Sequence, residues 1–339
     1  MQRRVSIKDV AAHAGVSWKT VSNVVNERPV VSAGTRERVQ RAIEELGYTP
    51  NHVGRDLRGG PTRTLALVVP GIENPYFARL AQRVQTAARR RGYSVSVEVT
   101  LDDTEVERRH VVGRSARPVD AVILSPSPGI ATEILERRSG PRLVLVGESL
   151  PAGPDIVHVA IDNRAAVGDV VRHLLAGGRE RLLFLGRDPE DHTPSTAAER
   201  LDGYRAALEK AGRAVDPDLI PAVASWDRAD GYAAIESALA AGLAFDAVVA
   251  ANDLLAVGAL AALRDRGVLV PGRVAVVGWD DIDEGQYTVP PLSTIAPDLD
   301  ALVEAVLDAA LAPSTDGAPH EIVVPHRLIA RESSGSGTG

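Results

Sequence analysis

The sequence predicts an all-α helix-turn-helix head followed by a larger α/β body of two lobes, with parallel sheets and helices on both faces. Three observations predict it. In the first 46 residues apolar positions recur at helical spacing in three short stretches, and Gly15-Val16 separates the first two. From Thr64 onward, continuous apolar runs alternate with amphipathic stretches of helical length, the pattern of parallel strands covered on both faces. The runs are too many for one comfortable sheet, so two lobes are expected.

The head elements follow from local chemistry. Ser6 precedes IKDVAAHA, and Asp9 three positions on completes a capping-box pattern. Ile7, Val10, Ala11 and Ala14 then share one face. Ser17 caps a second helix, WKTVSNVVN, with Val21, Val24 and Val25 turned inward. A third helix runs from about Ser32 to Leu46, closes a three-helix core with Val39, Ala42, Ile43 and Leu46, and ends at Gly47. The polar segment YTPNHVGRDLRGGPTRT reads as a joint with one or two helical turns. Pro50 opens it and Gly59-Gly60-Pro61 ends it.

In the body, strands are expected at 65–70, 93–99, 120–125, 142–147, 157–162, 181–186, 219–224, 246–251 and 273–278. Helices are expected at 75–91, 163–176, 197–211, 229–241, 253–265 and 298–311. The stretches 157–168 and 288–298 are the expected crossings between lobes. The expected domains are a head at 1–49, a joint at 50–61, a body at 62–332 and a flexible tail at 333–339. A cleft between two such lobes, near the carboxyl ends of the strands, is where a small ligand binds.

Composition bounds the function. The chain has 339 residues and a net charge of −7. Residues 1–60 nevertheless hold ten Lys/Arg against six Asp/Glu, and the remainder holds 28 against 39. A basic head on an acidic body fits one part that meets phosphate and one that does not. No run of about 18 uncharged apolar residues reads as a membrane span, and the amino terminus has no apolar stretch typical of a secretory signal. A cytoplasmic protein is expected. The chain has no cysteine, so disulfides and thiolate metal sites are excluded. The eight histidines show no close HxxxH or HxH spacing, and there is no GxxxxGK[ST] phosphate loop. Paired carboxylates such as Asp280-Asp281 are adjacent in sequence rather than arranged as a positioned acid and base. No metal, no cofactor and no catalysis are expected.

SIKDVAAHAGVSWKTVSNVVN, followed by VSAGTRERVQRAIEELGYTPN, closely resembles the lactose-repressor (LacI-type) family. The resemblance continues through IENPYF (72–77), the AND of 251–253 with Gly258, VVGWDDI (276–282) and HRLIARES (326–333), so it spans nearly the whole chain. It implies a transcriptional regulator that forms a homodimer on near-palindromic double-stranded DNA. It also implies a hinge helix and a body resembling periplasmic sugar-binding proteins.

On that resemblance the second helix enters the major groove, with Trp18, Lys19 and Asn23 at base-reading positions. Lys19 can donate to guanine and Asn23 can pair bidentately with adenine. Ser6, Ser17, Thr20, Ser22, Asn26, Ser32 and Thr35 fit positions for phosphate contacts, which orient without specifying; Ser6, Ser17 and Ser32 also read simply as helix caps. Asn51, Gly54 and Leu57 fall in the hinge, where Leu57 matches the wedge that opens a central base step. Gly54 stands where alanine is usual, and glycine weakens a helix by up to ~1 kcal/mol. A hinge that folds only with operator and dimer partner present is therefore expected.

For the effector, Tyr76, Phe77 and Ser125 are expected on one side of the cleft. Arg200, Trp226, Asn252 and Asp280 match effector-contacting positions of the family. An aromatic face, a guanidinium, an amide and a carboxylate suit a polyol, so a sugar is the expected effector. A purine or nucleoside would also stack on Trp226 and is the alternative. Competing readings are a rim position for Trp226, ordinary packing for Tyr76 and Phe77, a helix cap for Asp253 and a solvated turn at Asp280-Asp281. A solute-binding module without regulatory DNA binding is a further alternative, as is an enzyme fused to a DNA-binding head.

Overall fold

The structure is a computed structural model. It describes residues 5–25, 28–48, 62–114, 117–127, 130, 134, 136–137, 140–148, 156–190, 195–312 and 320–335. The chain divides into two units, Met1–Thr62 and Arg63–Gly339.

The first unit holds α1 (Ile7–Ala14), α2 (Trp18–Val25) and α3 (Ala33–Leu46). The capping box forms as the sequence predicts: Ser6 Oγ accepts from Asp9 N at 3.4 Å, and Ser6 N donates to Asp9 Oδ2 at 2.8 Å. Gly15 ends α1 at φ 64° and Gly47 ends α3 at φ 59°, a conformation that glycine adopts without strain. Ser17 caps α2, accepting from Thr20 N at 3.1 Å. Ser32 precedes α3 without a side-chain cap bond; its hydroxyl donates to Thr35 Oγ1 instead. Val10, Ala11, Val21, Val24, Val39 and Ala42 form the buried core of this unit.

The second unit alternates strands and helices: β1 (Thr64–Val69), α4 (Pro75–Arg90), β2 (Ser94–Val99), α5 (Thr104–Val111), β3 (Ala121–Leu124), β4 (Arg142–Val146), β5 (Ile156–Ile161), α6 (Asn163–Ala176), β6 (Leu182–Leu185), α7 (Thr196–Lys210), α8 (Arg228–Ala240), β7 (Ala247–Ala250), α9 (Asp253–Asp265), β8 (Ala275–Trp279), β9 (Ser293–Pro297), α10 (Leu299–Leu311), β10 (His320–Val324) and β11 (His326–Ile329). Two sheets result. The first has the order β10-β5-β4-β3-β1-β2 and is parallel throughout. The second has the order β11-β9-β8-β7-β6 and is parallel except for the β11–β9 pair. Strands β1, β3, β7 and β8 inside the sheets, and β6 at an edge, are almost wholly buried, because helices cover both faces. One hydrophobic cluster runs through both lobes, including Leu67, Val144, Phe184, Val277 and Val306. Each such side chain contributes roughly 1.5–3 kcal/mol by leaving water.

Several elements differ from expectation. The segment 219–224 is no strand. It is a one-turn helix at Pro217–Leu219 followed by a single bridge between Arg187 and Ala222. β2 lies at a sheet edge, so SVSVEV alternates and stays half exposed. α5 escapes the sequence pattern because its buried face includes Glu107 and His110, which are polar. Besides the crossings after β5 and after β9, a third follows β10, where Pro325 leads into β11. Residues 333 and 334 belong to the body instead of a flexible tail: Ser333 and Ser334 are buried, and Ser333 Oγ donates to Val276 O at 2.6 Å.

Candidate functional site

In the head, α2 turns Val21 and Val24 inward, which leaves Trp18, Lys19, Ser22 and Asn23 on the opposite side. Trp18 is 47% exposed, a large apolar ring held at the surface in the first turn of the helix. Lys19 beside it is exposed, and Asn23 and Thr20 are partly so. Ser6 and Ser17 act as helix caps, and their hydroxyls remain at least partly open to solvent. Arg36, which sequence reasoning passed over, anchors the turn between α2 and α3 by donating to the carbonyl of Arg28 at 2.8 Å. Asn26, Asn51, Gly54 and Leu57 lie outside the described residues.

In the body, strand ends and helix starts converge on a cleft between the lobes. From the first lobe come Asn74, Tyr76, Ser125 and Glu148. Asn74 caps α4, its Oδ1 accepting from Tyr76 N at 3.0 Å, and its side chain also hydrogen-bonds Asp280. Tyr76 meets Phe77 edge-on with ring centroids 5.2 Å apart. Both rings also pack on the main hydrophobic cluster, so the packing reading of these residues holds as well. Ser125 is buried directly after β3. Glu148, two residues past the end of β4, accepts from Thr196 N of the other lobe at 2.5 Å.

From the second lobe come Arg200, Trp226, Asn252, Trp279 and Asp280. Arg200 is buried at the centre. Its Nε donates to Asn163 Oδ1 at 3.1 Å, and an Nη1 proton goes to the Ala251 carbonyl. The guanidinium lies 3.8 Å from the Trp279 ring centroid and 5.4 Å from that of Trp226. Both indole rings thus lie within cation–π range of it, Trp279 the nearer. Asn252 caps α9, accepting from Leu255 N, and its Nδ2 donates to the Trp226 carbonyl at 2.8 Å. Most of that amide is therefore committed to placing Trp226, which leaves one Nδ2 proton for a ligand.

Asp253 does not cap α9, contrary to expectation. It is fully buried, with Oδ2 accepting from Ile282 N at 2.9 Å and Oδ1 from Thr294 Oγ1 at 2.7 Å. It anchors the loop that carries Asp280. The turn at Asp280-Asp281 is not a solvated one: Asp281 is only 15% exposed and is ion-paired.

The electrostatics are those of a half-buried charge cluster. Burial lifts Asp280 from its ordinary 3.8 to about 7, against the pull of Arg200, the Asn74 hydrogen bond and Arg79. Burial also lifts Glu148 from 4.5 to about 7, against its bonds to Thr196 and the charge of Arg200. Arg200 falls to about 10, with burial outweighing its neighbouring carboxylates. Burial, reinforced by Asp280, pushes the Tyr76 hydroxyl upward. Burial thus opposes the ionisation of two carboxyls placed around one cation. Among the described residues, no group of three or more His, Asp or Glu is placed to hold a metal. No helix among them is long and apolar enough to cross a membrane.

Asn74, Glu148 and Trp279 were missed by sequence reasoning, although Asn74 lies inside IENPYF and Trp279 inside VVGWDDI. Glu148 carries no motif; only its place at the end of a strand run marks it.

A helix-turn-helix unit joined to a two-lobed α/β body with a polar interlobe cleft defines a ligand-responsive DNA-binding regulator. Comparison with known proteins agrees. The model for bacterial regulatory proteins of the lacI family matches residues 6–51, and that for a periplasmic binding protein-like domain matches 171–334. The ribose operon repressor of Escherichia coli (strain K12) is 32% identical over 307 residues, covering 89% of this chain and 91% of that protein. Among solved structures, the transcriptional regulator CelR–cellobiose complex is 31% identical with a TM-score of 0.67, covering 97% of this chain and 100% of that one. The lac repressor dimer bound to operator and the anti-inducer ONPF is 25% identical with a TM-score of 0.80, covering 98% and 99%. The chain belongs to the lacI family of bacterial regulatory proteins and is a sequence-specific DNA-binding transcriptional regulator.

Proposed function

We propose that this regulator is a cytoplasmic, dimeric repressor whose grip on a near-palindromic operator is set by a neutral sugar held between the lobes. The observation that carries the reading is the convergence of Arg200, Trp226 and Asp280 on one cleft. Trp226 offers a flat apolar face, and Arg200 and Asp280 offer opposite hydrogen-bonding partners for hydroxyls. The remaining Asn252 proton adds a donor, and Tyr76 and Ser125 close the site from the first lobe. Sugars also appear in the names of related proteins, one a ribose operon repressor and another a regulator complexed with cellobiose. Trp18, Lys19 and Asn23 read the base edges, while Ser6, Ser17, Thr20, Ser22, Asn26, Ser32 and Thr35 meet the phosphates. Asn51, Gly54 and Leu57 form the hinge over the minor groove. A sugar changes operator affinity only by binding one lobe arrangement better than the other.

The test has two arms. Selection from random duplexes yields a common near-palindromic site, and Asn23→Ala loses about 1–3 kcal/mol on it while relaxing one base per half-site. A thermal-shift screen of sugars and nucleosides finds a stabilising sugar, worth about 2.7 kcal/mol at a hundred times its Kd, and that sugar alters affinity for the selected duplex without being turned over. Enrichment of no common sequence, or stabilisation by nucleosides alone, overturns the corresponding half of the reading.

A further inference from the structure

The HRLIARES segment forms the last strand, β11, and the turn after it; Arg331 in that turn bonds Asp281, the neighbour of Asp280. Arg331 is pinned to the start of β9. Its backbone N accepts no freedom there: it donates to Ser293 Oγ at 2.8 Å, and its carbonyl accepts from the same hydroxyl at 3.0 Å. Its Nη1 donates to the Leu292 carbonyl at 2.7 Å. The remaining arm, Nη2, donates to Asp281 Oδ1 at 2.6 Å, with both side chains about 15% exposed. This is a short, charge-assisted bond in a mostly desolvated place, and its Arg331 end is held by three further hydrogen bonds.

Asp281 sits in an unusual backbone. Its φ is 51° and that of Asp280 is 113°, so two consecutive non-glycine residues occupy the left-handed side of the map. Such a pair persists only where surrounding contacts fix it. The contacts that do so include Asp280 N to the Ile295 carbonyl at 2.8 Å, Asp281 N to Thr294 Oγ1 at 3.3 Å, Ile282 N to Asp253, the Arg331 ion pair, and Arg79, which bonds the Asp281 carbonyl and lies 3.9 Å from its carboxylate. Of the two ion pairs on the Asp281 carboxylate, that from Arg331 at 2.6 Å is much the shorter; Arg79 stands 3.9 Å away.

The conformation has consequences on both sides. It directs the Asp280 carboxyl to Asn74 and Arg200. It also directs the Asp281 carbonyl across the cleft to Arg79 on α4, whose Nη1 donates to it at 2.5 Å, with Asp283 Oδ1 3.5 Å from the same nitrogen. Arg331, Asp281 and Arg79 therefore form a continuous line from the carboxyl-terminal segment, past the cleft, to the first helix of the other lobe.

We propose that Arg331 is a positioning residue for the cleft: through Asp281 it holds Asp280 in its ligand-facing pose and aims the Asp281 carbonyl at Arg79, so that lobe closure depends on a side chain remote from the ligand. The consequence for regulation rests on reading the cleft as the effector site; the coupling itself needs no ligand to be measured.

The test is hydrogen exchange by mass spectrometry on the full chain alone, comparing the parent with Arg331→Ala, Arg331→Lys and Asp281→Asn. In Arg331→Ala, amides of 280–286 and of 76–83 exchange at least tenfold faster, while peptides from β6, β7 and α8 keep the parent rate. Arg331→Lys, which can reach one partner but not two, restores part of the protection. Asp281→Asn, which keeps the shape and loses the charge, loosens the same two segments. If Arg331→Ala does not fold, the other two variants carry the test by the same local signature. Unchanged exchange at 76–83 overturns the coupling. Faster exchange throughout the second lobe overturns it too, because Arg331 would then be a general support of the fold. Neither result depends on whether a sugar binds.

Discussion

Asp280 carries the most information of any single residue in the cleft. Burial sets it near pH 7 although a guanidinium faces it, so removing water from the carboxylate outweighs the attraction. The sign of the resulting pH dependence is fixed. The folded chain holds this proton to about pH 7, whereas the unfolded chain releases it near pH 4, so the unfolded state binds fewer protons between those values. Stability from this group is complete below about pH 4 and declines as pH rises to about 7. Asp280→Asn removes that dependence. Thermal melts from pH 4 to 8 should show a smaller loss of Tm with rising pH in the variant than in the parent, the remainder coming from Glu148, Asp253 and Glu107, which burial also lifts. A parallel decline in the two proteins would show that Asp280 titrates as an exposed carboxylate. The residues that place Asp280 were unevenly legible in the sequence. Arg200, Asn252 and Asp280 follow from strand ends and family motifs. Asn74, Glu148 and Trp279 contribute through contacts across the lobes or beneath a guanidinium, and local spacing does not encode such contacts.

Among the elements, α8 and α9 show how tightly the second lobe is built. Gly231 and Gly258 face each other's helix, and a Cβ on Gly258 would overlap the Arg228 carbonyl oxygen and crowd Tyr232 N, both backbone atoms. The helices approach at a distance only glycine permits. Gly258→Ala should therefore destabilise the body by about 1–3 kcal/mol or more, the cost of overpacking against atoms that cannot yield. Chemical denaturation reads this directly. A change below 0.5 kcal/mol would mean the helices separate freely. The sequence makes the long helices and buried strands plain, because their apolar runs are uninterrupted. It hides β9, β10 and β11, which are four or five residues long and lie among Pro290, Pro291, Pro297 and Pro325. It also hides α5, whose inward side carries the Glu107 carboxyl bound to Thr100 and Ser127 instead of an apolar stripe.

For the molecule as a whole, a basic head and an acidic body share one chain, and on the proposed reading the joint between them decides how one informs the other. If the joint folds only on DNA, its helix propensity enters operator affinity directly. Gly54→Ala should tighten operator binding by up to about 1 kcal/mol, roughly fivefold, through a lower ordering cost. Titration of the selected duplex with the two proteins measures it. Equal or weaker binding by the variant would show that the segment is already ordered, or is not helical, when it meets DNA.

The chain contains three tryptophans, and their placement is economical. Trp18 stands on the outward side of α2, while Trp226 and Trp279 flank Arg200 in the cleft. Emission excited where only tryptophan absorbs, not tyrosine, thus originates at α2 and around Arg200. Replacing Trp18 with phenylalanine leaves a signal from the cleft alone, and replacing the other two leaves a signal from the head alone. Binding at either place, on the proposed reading, can then be followed by light, in the same solution and without a dye.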